Sequence, residues 1–403
     1  MIEYEKLLSS TIQQIKPSGI RKFFDLAENM EGVISLGVGE PDFQTPWVVR
    51  STAIQTLEKR RIIYSANAGL LDLRREICNY MNRKLGITYD PKTELIVTVG
   101  GSEAIDISIR ALINPGDEVL IVEPSFVCYA PIVRLAGGVP VPMATCLEDS
   151  FKLTPEILRS HITPRTKLLV LPFPNNPTGA IMTREELEKI AEVLRDTNIL
   201  VLSDEIYSEL TYGRTHCSIA QIEGMQERTI LVNGFSKAFA MTGWRLGYVA
   251  APAPIIKQTV KIHQYTIMCS PTISQYAAIQ ALQSCDEDVR RMVDKYNIRR
   301  RYLVERFNEI GLPCFNPEGA FYVFPCIRST GMSSEAFCEA LLNQQKVAVV
   351  PGNAFGDSGE GFVRVSYAYS LKHLMMALDR IEAFLASGIR RLYSGLCNCR
   401  CCA

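Results

Sequence analysis

TILVNGFSKAFAMTGWRLGYVAAP, residues 229–252, decides how the rest of the chain is read. Its apolar run at 230–232 reads as the end of a buried strand, and the polar turn Asn233-Gly234-Phe235-Ser236 then delivers Lys237. Eight residues on stands Arg245, after which an apolar run resumes at 248–251. A lysine between two buried runs cannot stay charged and unpartnered without a penalty of about several kcal/mol. Burial lowers its pKa and leaves a nucleophilic, basic amine. The planar fork of an arginine suits a phosphate, because it offers two parallel donors. An aldehyde-reactive amine beside a phosphate clamp points to pyridoxal 5′-phosphate (PLP). The competing reading, a surface lysine with Arg245 capping a helix, is left to the rest of the chain.

Upstream of this stretch, apolar runs alternate with helical periodicity. Strands are expected at 95–99, 118–122, 167–171 and 199–203, and helices at 104–112, 126–136 and after the capping box Thr183/Glu186. Such alternation predicts an α/β fold, a mostly parallel sheet with helices on both faces. Ligands in such sheets sit beyond the carboxyl ends of the strands, and Gly101/Ser102, Asn176, Asp204 and Lys237 all fall there. The turn Gly100-Gly101-Ser102-Glu103 has the form of a phosphate cradle, although an ordinary strand-to-helix turn reads the same way. The loop GVGEPDFQTP at 37–46 is not a dinucleotide fingerprint, since Asp42 occupies the third glycine's position and no helix follows.

From about residue 285 the pattern changes to a long helix at 286–310, short strands at 320–324, 348–350 and 362–366, and two helices, a smaller α+β domain. The basic run Arg299-Arg300-Arg301 reads as a solvated face rather than a nucleic-acid site. The expected division is 1–46 as an arm with part of the small domain, 47–284 as the large domain, 285–388 as the small domain and 389–403 as a cysteine-rich tail without fixed structure.

At 403 residues two domains are the default, and 43 acidic against 43 basic residues argue against nucleic acid or an anionic membrane as a partner. No apolar run reaches the roughly 18 residues of a membrane span, and the amino-terminal residues lack a signal-peptide core. A cytoplasmic protein is expected. Nine of 13 cysteines are scattered in apolar surroundings, as befits a reduced compartment. The remaining Cys397, Cys399, Cys401 and Cys402 could bind a soft metal but read more simply as an exposed tail, so no metal site is expected.

PLP chemistry assigns each candidate a task. Lys237 is the Schiff-base lysine and the proton shuttle, and Asp204 keeps the pyridine nitrogen protonated. Asn176 and Tyr207 donate to the ring's phenolate oxygen, and Phe126 stacks on the ring. Arg245 and Ser102, with Gly101 at the helix start, clamp the phosphate. Arg364, inside the strand-like run at 362–366, could hold a substrate carboxylate or simply face solvent from an edge strand.

With GEPDF at 39–43, PNNPTG at 174–179, SDEIY at 203–207, SKAFAMTGWRLG at 236–247 and VRVSYA at 363–368, the chain resembles the class I aminotransferases of PLP fold type I over residues 30–385. The resemblance implies that Lys237 carries PLP, Asp204 pairs with the pyridine, Asn176 and Tyr207 are the phenolate donors, Arg245 binds phosphate and Arg364 the substrate carboxylate. It further implies that the sheet is seven-stranded, that Gly39 lies against the substrate, and that the enzyme is a homodimer with shared sites in which Tyr64 reaches the neighbouring subunit's phosphate. Two departures stand out. Gly234 replaces a usual phosphate-binding serine, for which Ser236 or Ser102 can compensate, and Phe126 replaces a tryptophan or tyrosine. A lysine that reads acidic substrates in some relatives is absent at Ser102.

The expected activity is transfer of an amino group from an L-amino acid to a 2-oxo acid such as 2-oxoglutarate, in ping-pong order. GGSEAIDISIRAL, SDEIYSELTYGR and HQYTIMCSPTISQ resemble the branch acting on N-acetyl-diaminopimelate; aspartate, aromatic amino acids and alanine remain open as donors. A β-C–S lyase would use the same Lys237, Asp204 and Arg245. A non-catalytic relative is disfavoured by the intact lysine.

Overall fold

The computed structural model of the chain describes residues 2–17, 19–20 and 30–396. Strand β1 (Ile34–Ser35) leads through the loop carrying Gly37 and Gly39 into helices Trp47–Lys59 and Leu71–Leu85. The large sheet follows, made of β2 (Leu95–Thr98), β3 (Glu118–Glu123), β4 (Val139–Ala144), β5 (Thr166–Leu171), β6 (Leu200–Asp204), β7 (Thr229–Gly234) and β8 (Gly247–Ala250). Its strand order is β2-β8-β7-β6-β5-β3-β4, and every pair is parallel except the two that β8 makes with β2 and β7. This is the expected α/β architecture.

Period-two alternation explains why the sheet is covered on both faces. In β5, Leu168 and Val170 join one apolar cluster while Leu169 and Leu171 join another on the opposite face. Burying each such side chain contributes roughly 1.5–3 kcal/mol. The helices that cover them are set by local signals. Thr183 and Glu186 form the capping box that starts Arg184–Leu194, and Gly86, with φ of 69°, ends Leu71–Leu85 in the left-handed conformation.

The carboxy-terminal region begins with the helix Asp286–Glu309 and holds β9 (Tyr322–Val323), the helix Ser334–Gln345, β10 (Val347–Ala348), β11 (Val350–Pro351), β12 (Val363–Ser366) and the helix Leu371–Leu396. Strands β11, β12 and β9 form an antiparallel sheet, while β10 pairs in parallel with β1. The single strand expected at 348–350 is therefore two, because the chain changes partners at Val349. The helix expected at 126–136 is only Tyr129–Leu135.

Three further expectations do not hold. Of Arg299-Arg300-Arg301, only Arg301 faces solvent. Arg300 follows Tyr296 by four residues and precedes Leu303 by three, which puts it on the buried stripe of its helix. Its fork binds Asn297 Oδ1, Asn316 Oδ1 and the Pro317 carbonyl, and it lies over the Tyr212 ring. Arg299 forms an ion pair with Asp42, and its side chain is only 11% exposed. Second, Val293 and Ile310, which the apolar spacing of 286–310 places among the buried positions, are only half-buried, and Met292 takes the core position. Third, the last helix crosses the 388/389 boundary without a break. A lone glycine, Gly388, costs about 1 kcal/mol in a helix, too little to end one among good helix formers. The four tail cysteines lie outside the described residues. Of the scattered nine, Cys146 is exposed rather than in an apolar setting. No helix among the described residues is long and apolar enough to cross a membrane.

Candidate active site

The carboxyl ends of the large sheet's parallel strands open into a cavity of about 1130 Å³. It is lined by ten of the residues singled out in the sequence: Gly39, Gly101, Ser102, Phe126, Asn176, Asp204, Tyr207, Ser236, Lys237 and Arg245. An eleventh, Arg364, reaches it from β12. Tyr64 is the exception. It is 77% exposed and does not line this chain's own cavity.

Lys237 enters three residues after β7, and its Nζ donates to the Gly39 carbonyl at 2.6 Å. Burial lowers its amine to about 8; Glu40 and Asp204 oppose the shift, and the Arg364 and Arg245 charges add to it. Asp204 ends β6. Burial pushes its carboxyl up, while the Tyr129 hydroxyl (2.7 Å to Oδ2) and the Ile206 N–H (3.2 Å to Oδ1) pull it back down. The Tyr207 hydroxyl pairs with that of Tyr322 at 2.8 Å, and its ring lies 5.8 Å from Lys237 Nζ.

Arg364 is not an edge-strand arginine facing solvent. It is 3% exposed, and it donates to Asn176 Oδ1 at 2.9 Å and to the Gly37 carbonyl. It packs over the rings of Tyr322 and Phe355, and its Nε is buried with no partner among the described residues. Burial lowers its pKa, though the guanidinium remains charged at any physiological pH. The bond to Arg364 occupies Asn176 Oδ1, which leaves the amide N–H groups of Asn176 as its donors.

Arg245 folds back on the turn before the helix Gly100–Leu112. Its guanidinium donates to the Thr242 carbonyl at 3.0 Å and lies so close to Gly100 that a Cβ there would meet Nη2 at 2.5 Å. The guanidinium could give way to a Cβ, but Gly100 also takes φ of 78°, and that left-handed backbone is what calls for glycine. Glu103 accepts the Val99 N–H and a 2.6 Å bond from buried His263, which braces this turn from below. Gly234 has a steric reason as well. A side chain there would press on the Leu246 carbonyl and the Gly247 backbone at 3.0–3.1 Å, so the usual serine has little room.

Sequence reasoning missed Tyr129, Tyr322 and Gly37. Tyr129 reads as a core residue at a helix start, and the hydroxyls of Tyr129 and Tyr322 meet partners 75 and 115 residues away in sequence.

The family model for aminotransferase class I and II matches residues 31–381. The chain is 54% identical over 378 residues to a Bacillus subtilis (strain 168) protein named "Putative aminotransferase YugH", covering 94% of this chain and 98% of that one. It is 46% identical over 383 residues to the aspartate aminotransferase of Pyrococcus abyssi, with 94% and 98% covered. It superposes with a TM-score of 0.87 on the aromatic aminotransferase of Pyrococcus horikoshii OT3, at 46% identity over 91% of this chain and 99% of that one.

Proposed function

The chain belongs to the class I and II aminotransferases, PLP-dependent enzymes that transfer an amino group between an amino acid and a 2-oxo acid, and from that premise we propose how its cavity handles cofactor and substrate. The lining suits PLP. It offers a lysine amine lowered to about 8, a buried carboxylate, a helix start braced by Glu103, and an arginine packed against Gly100. When bound, PLP supplies a carbonyl that condenses with amines and a ring that draws electrons from the substrate α-carbon.

Lys237 Nζ would carry the cofactor and afterwards move the α-proton, and Asp204 would hold a proton on the pyridine nitrogen. The Asn176 amide and the Tyr207 hydroxyl would donate to the ring's phenolate oxygen, with Phe126 against its face. Gly101, Ser102, Ser236 and Arg245 would bind the phosphate. Arg364, with Gly39 beside it, would take the α-carboxylate. The transfer would run in ping-pong order with 2-oxoglutarate as acceptor. The same reading divides the chain into a large unit at 47–284 and a small one that begins at 285 and includes the helix Leu371–Leu396, joined by the amino-terminal 1–46.

One observation bears on the donor. Among the described lining residues the only cations are Lys237, Arg245 and Arg364, each already given a task, while Ile20, Met30, Val33, Val38 and Phe126 are apolar. Among the described residues of the lining no cation is left for a distal carboxylate, so we favour a donor with an apolar or aromatic side chain over aspartate and N-acetyl-diaminopimelate. The test is the absorbance spectrum of the PLP-loaded protein with single amino acids and no oxo acid. Aromatic donors are expected to bleach the visible band at least about tenfold faster than aspartate, the discrimination expected from leaving one charge unpaired. Faster bleaching by aspartate would overturn the preference. Pyruvate released while the band persists would favour a β-C–S lyase.

We also propose that the enzyme is a homodimer. Ile62, Ile63, Tyr64, Ile267 and Met268 are exposed together, because Thr272 Oγ1 bonds the Ile63 carbonyl and Asn67 Nδ2 the Met268 carbonyl, each at 2.8 Å. An apolar surface of this kind calls for a partner. A second copy would cover it and bring Tyr64 to the neighbouring phosphate. Sedimentation equilibrium should give a dimer for the parent and a monomer–dimer mixture for Ile63→Glu, with PLP affinity reduced about tenfold in Tyr64→Ala. A monomeric parent with full PLP affinity would refute the shared site.

A further inference from the structure

Arg299 belongs to a run that reads as solvated, and instead it is committed to one loop. Its Nη1 and Nη2 donate to Asp42 Oδ1 and Oδ2 at 2.8 and 2.9 Å, a two-pronged pair. Nη1 also reaches the Tyr367 carbonyl at 3.3 Å, and the guanidinium lies over the rings of Phe43 and Tyr296 at 5.4 and 5.6 Å. Both terminal nitrogens and two ring contacts are in use, which is more than a surface ion pair asks for.

The loop it holds presents two backbone carbonyls to the cavity's two key cations. The Gly37 carbonyl accepts from Arg364, and the Gly39 carbonyl accepts from Lys237. At its start the loop is anchored by the sheet, where the Ser366 N–H donates to the Leu36 carbonyl at 2.8 Å. At its far end Thr45 Oγ1 donates to the Ala240 carbonyl at 2.6 Å. Between these anchors the Asp42–Arg299 fork is a two-pronged, charge-assisted tie, and it comes from the helix Asp286–Glu309, an element that contributes no residue to the described cavity lining.

We propose that Asp42 and Arg299 are a positioning pair. They fix the loop 37–43 so that the Gly37 and Gly39 carbonyls orient Arg364 and Lys237 for the donor's carboxylate and amine. A displaced Gly37 carbonyl would release the fork of Arg364 from its set angle, and because that fork is proposed to hold the donor's carboxylate, the loss falls first on binding. This inference rests on the roles proposed above for Arg364 and Lys237.

The test uses the PLP-loaded enzyme with Asp42→Asn, Arg299→Lys and the double variant. Each single variant is expected to raise the donor's KM about tenfold while kcat changes less than about threefold, the pattern of lost ground-state positioning. The double variant should match either single one, since one fork is broken only once. Hydrogen exchange gives a readout independent of turnover. Amides at 37–43 should exchange about tenfold faster in either variant, with those at 229–250 unchanged. Unaltered exchange at 37–43, multiplying effects in the double variant, or a fall in kcat at constant KM would each overturn the proposal. Asp42→Asn, at a partly exposed loop carboxylate, is the deciding variant if Arg299→Lys folds poorly. Failure of the underlying functional reading would look different, because the unsubstituted enzyme would then show no donor-dependent bleaching at all.

Discussion

Lys237→Ala is expected to lower amino-group transfer by about 10⁴-fold or more, because the proposed mechanism gives this one side chain both nucleophilic and general-base work. Nothing near it can substitute. The other cations among the described lining residues, Arg245 and Arg364, are guanidinium groups with donors and no acceptor, and the Tyr207 hydroxyl is already paired with that of Tyr322. The variant should still hold PLP, since Arg245, Ser102 and the helix start are untouched, but a strong reductant such as borohydride should fix no cofactor to the chain. The pH dependence of capture carries a sign. The amine of the apoprotein is protonated below about 8 and free above it, so PLP capture should accelerate as pH rises and level off beyond about 8. An inflection near an ordinary lysine value would show that burial does not act on the amine. Unchanged turnover in Lys237→Ala would remove the mechanism altogether.

Much of this site is legible without coordinates. Parallel strands put functional side chains at their carboxyl ends, and Asp204, Asn176 and Lys237 are found there because the apolar runs before them locate those ends. Sequence alone does not show what each side chain leans on. The tyrosine hydroxyls that meet Asp204 and Tyr207 come from residues 129 and 322, and pairing across such separations leaves no periodic trace. Arg300 escapes a sequence reading for a related reason. A run of three like charges resembles a solvated face, yet helical spacing from Tyr296 turns its middle member into the core, where Asn297, Asn316 and a carbonyl satisfy the fork. For Arg364 the pattern of residues cannot choose between cleft and solvent, because β12 could be an edge, and only its place between β11 and β9 decides. Tyr64 lies outside the cavity of its own chain, so the role proposed for it needs a second copy.

Asp204→Asn should cost about 10³-fold in kcat with little change in fold. Asparagine matches the shape of aspartate and can still accept the Ile206 N–H, so packing is kept while the charge is lost. That charge is held against its surroundings. Burial favours the neutral acid, and the hydroxyl of Tyr129 and the N–H of Ile206 favour the carboxylate. A buried charge deprived of its counterpart typically costs about 2–5 kcal/mol, and about 4 kcal/mol corresponds to about 10³ in rate. Tyr129→Phe separates electrostatics from shape. It removes one donor to the ionised form, so the pKa of Asp204 must rise, and the acidic limb of the kcat profile should move to higher pH while the plateau falls less than about tenfold. A purely structural role for Tyr129 would lower the plateau without moving the limb. Full activity in Asp204→Asn would mean that no carboxylate is needed opposite the pyridine nitrogen, and the electron-withdrawing role assigned to this end of the cavity would fall with it.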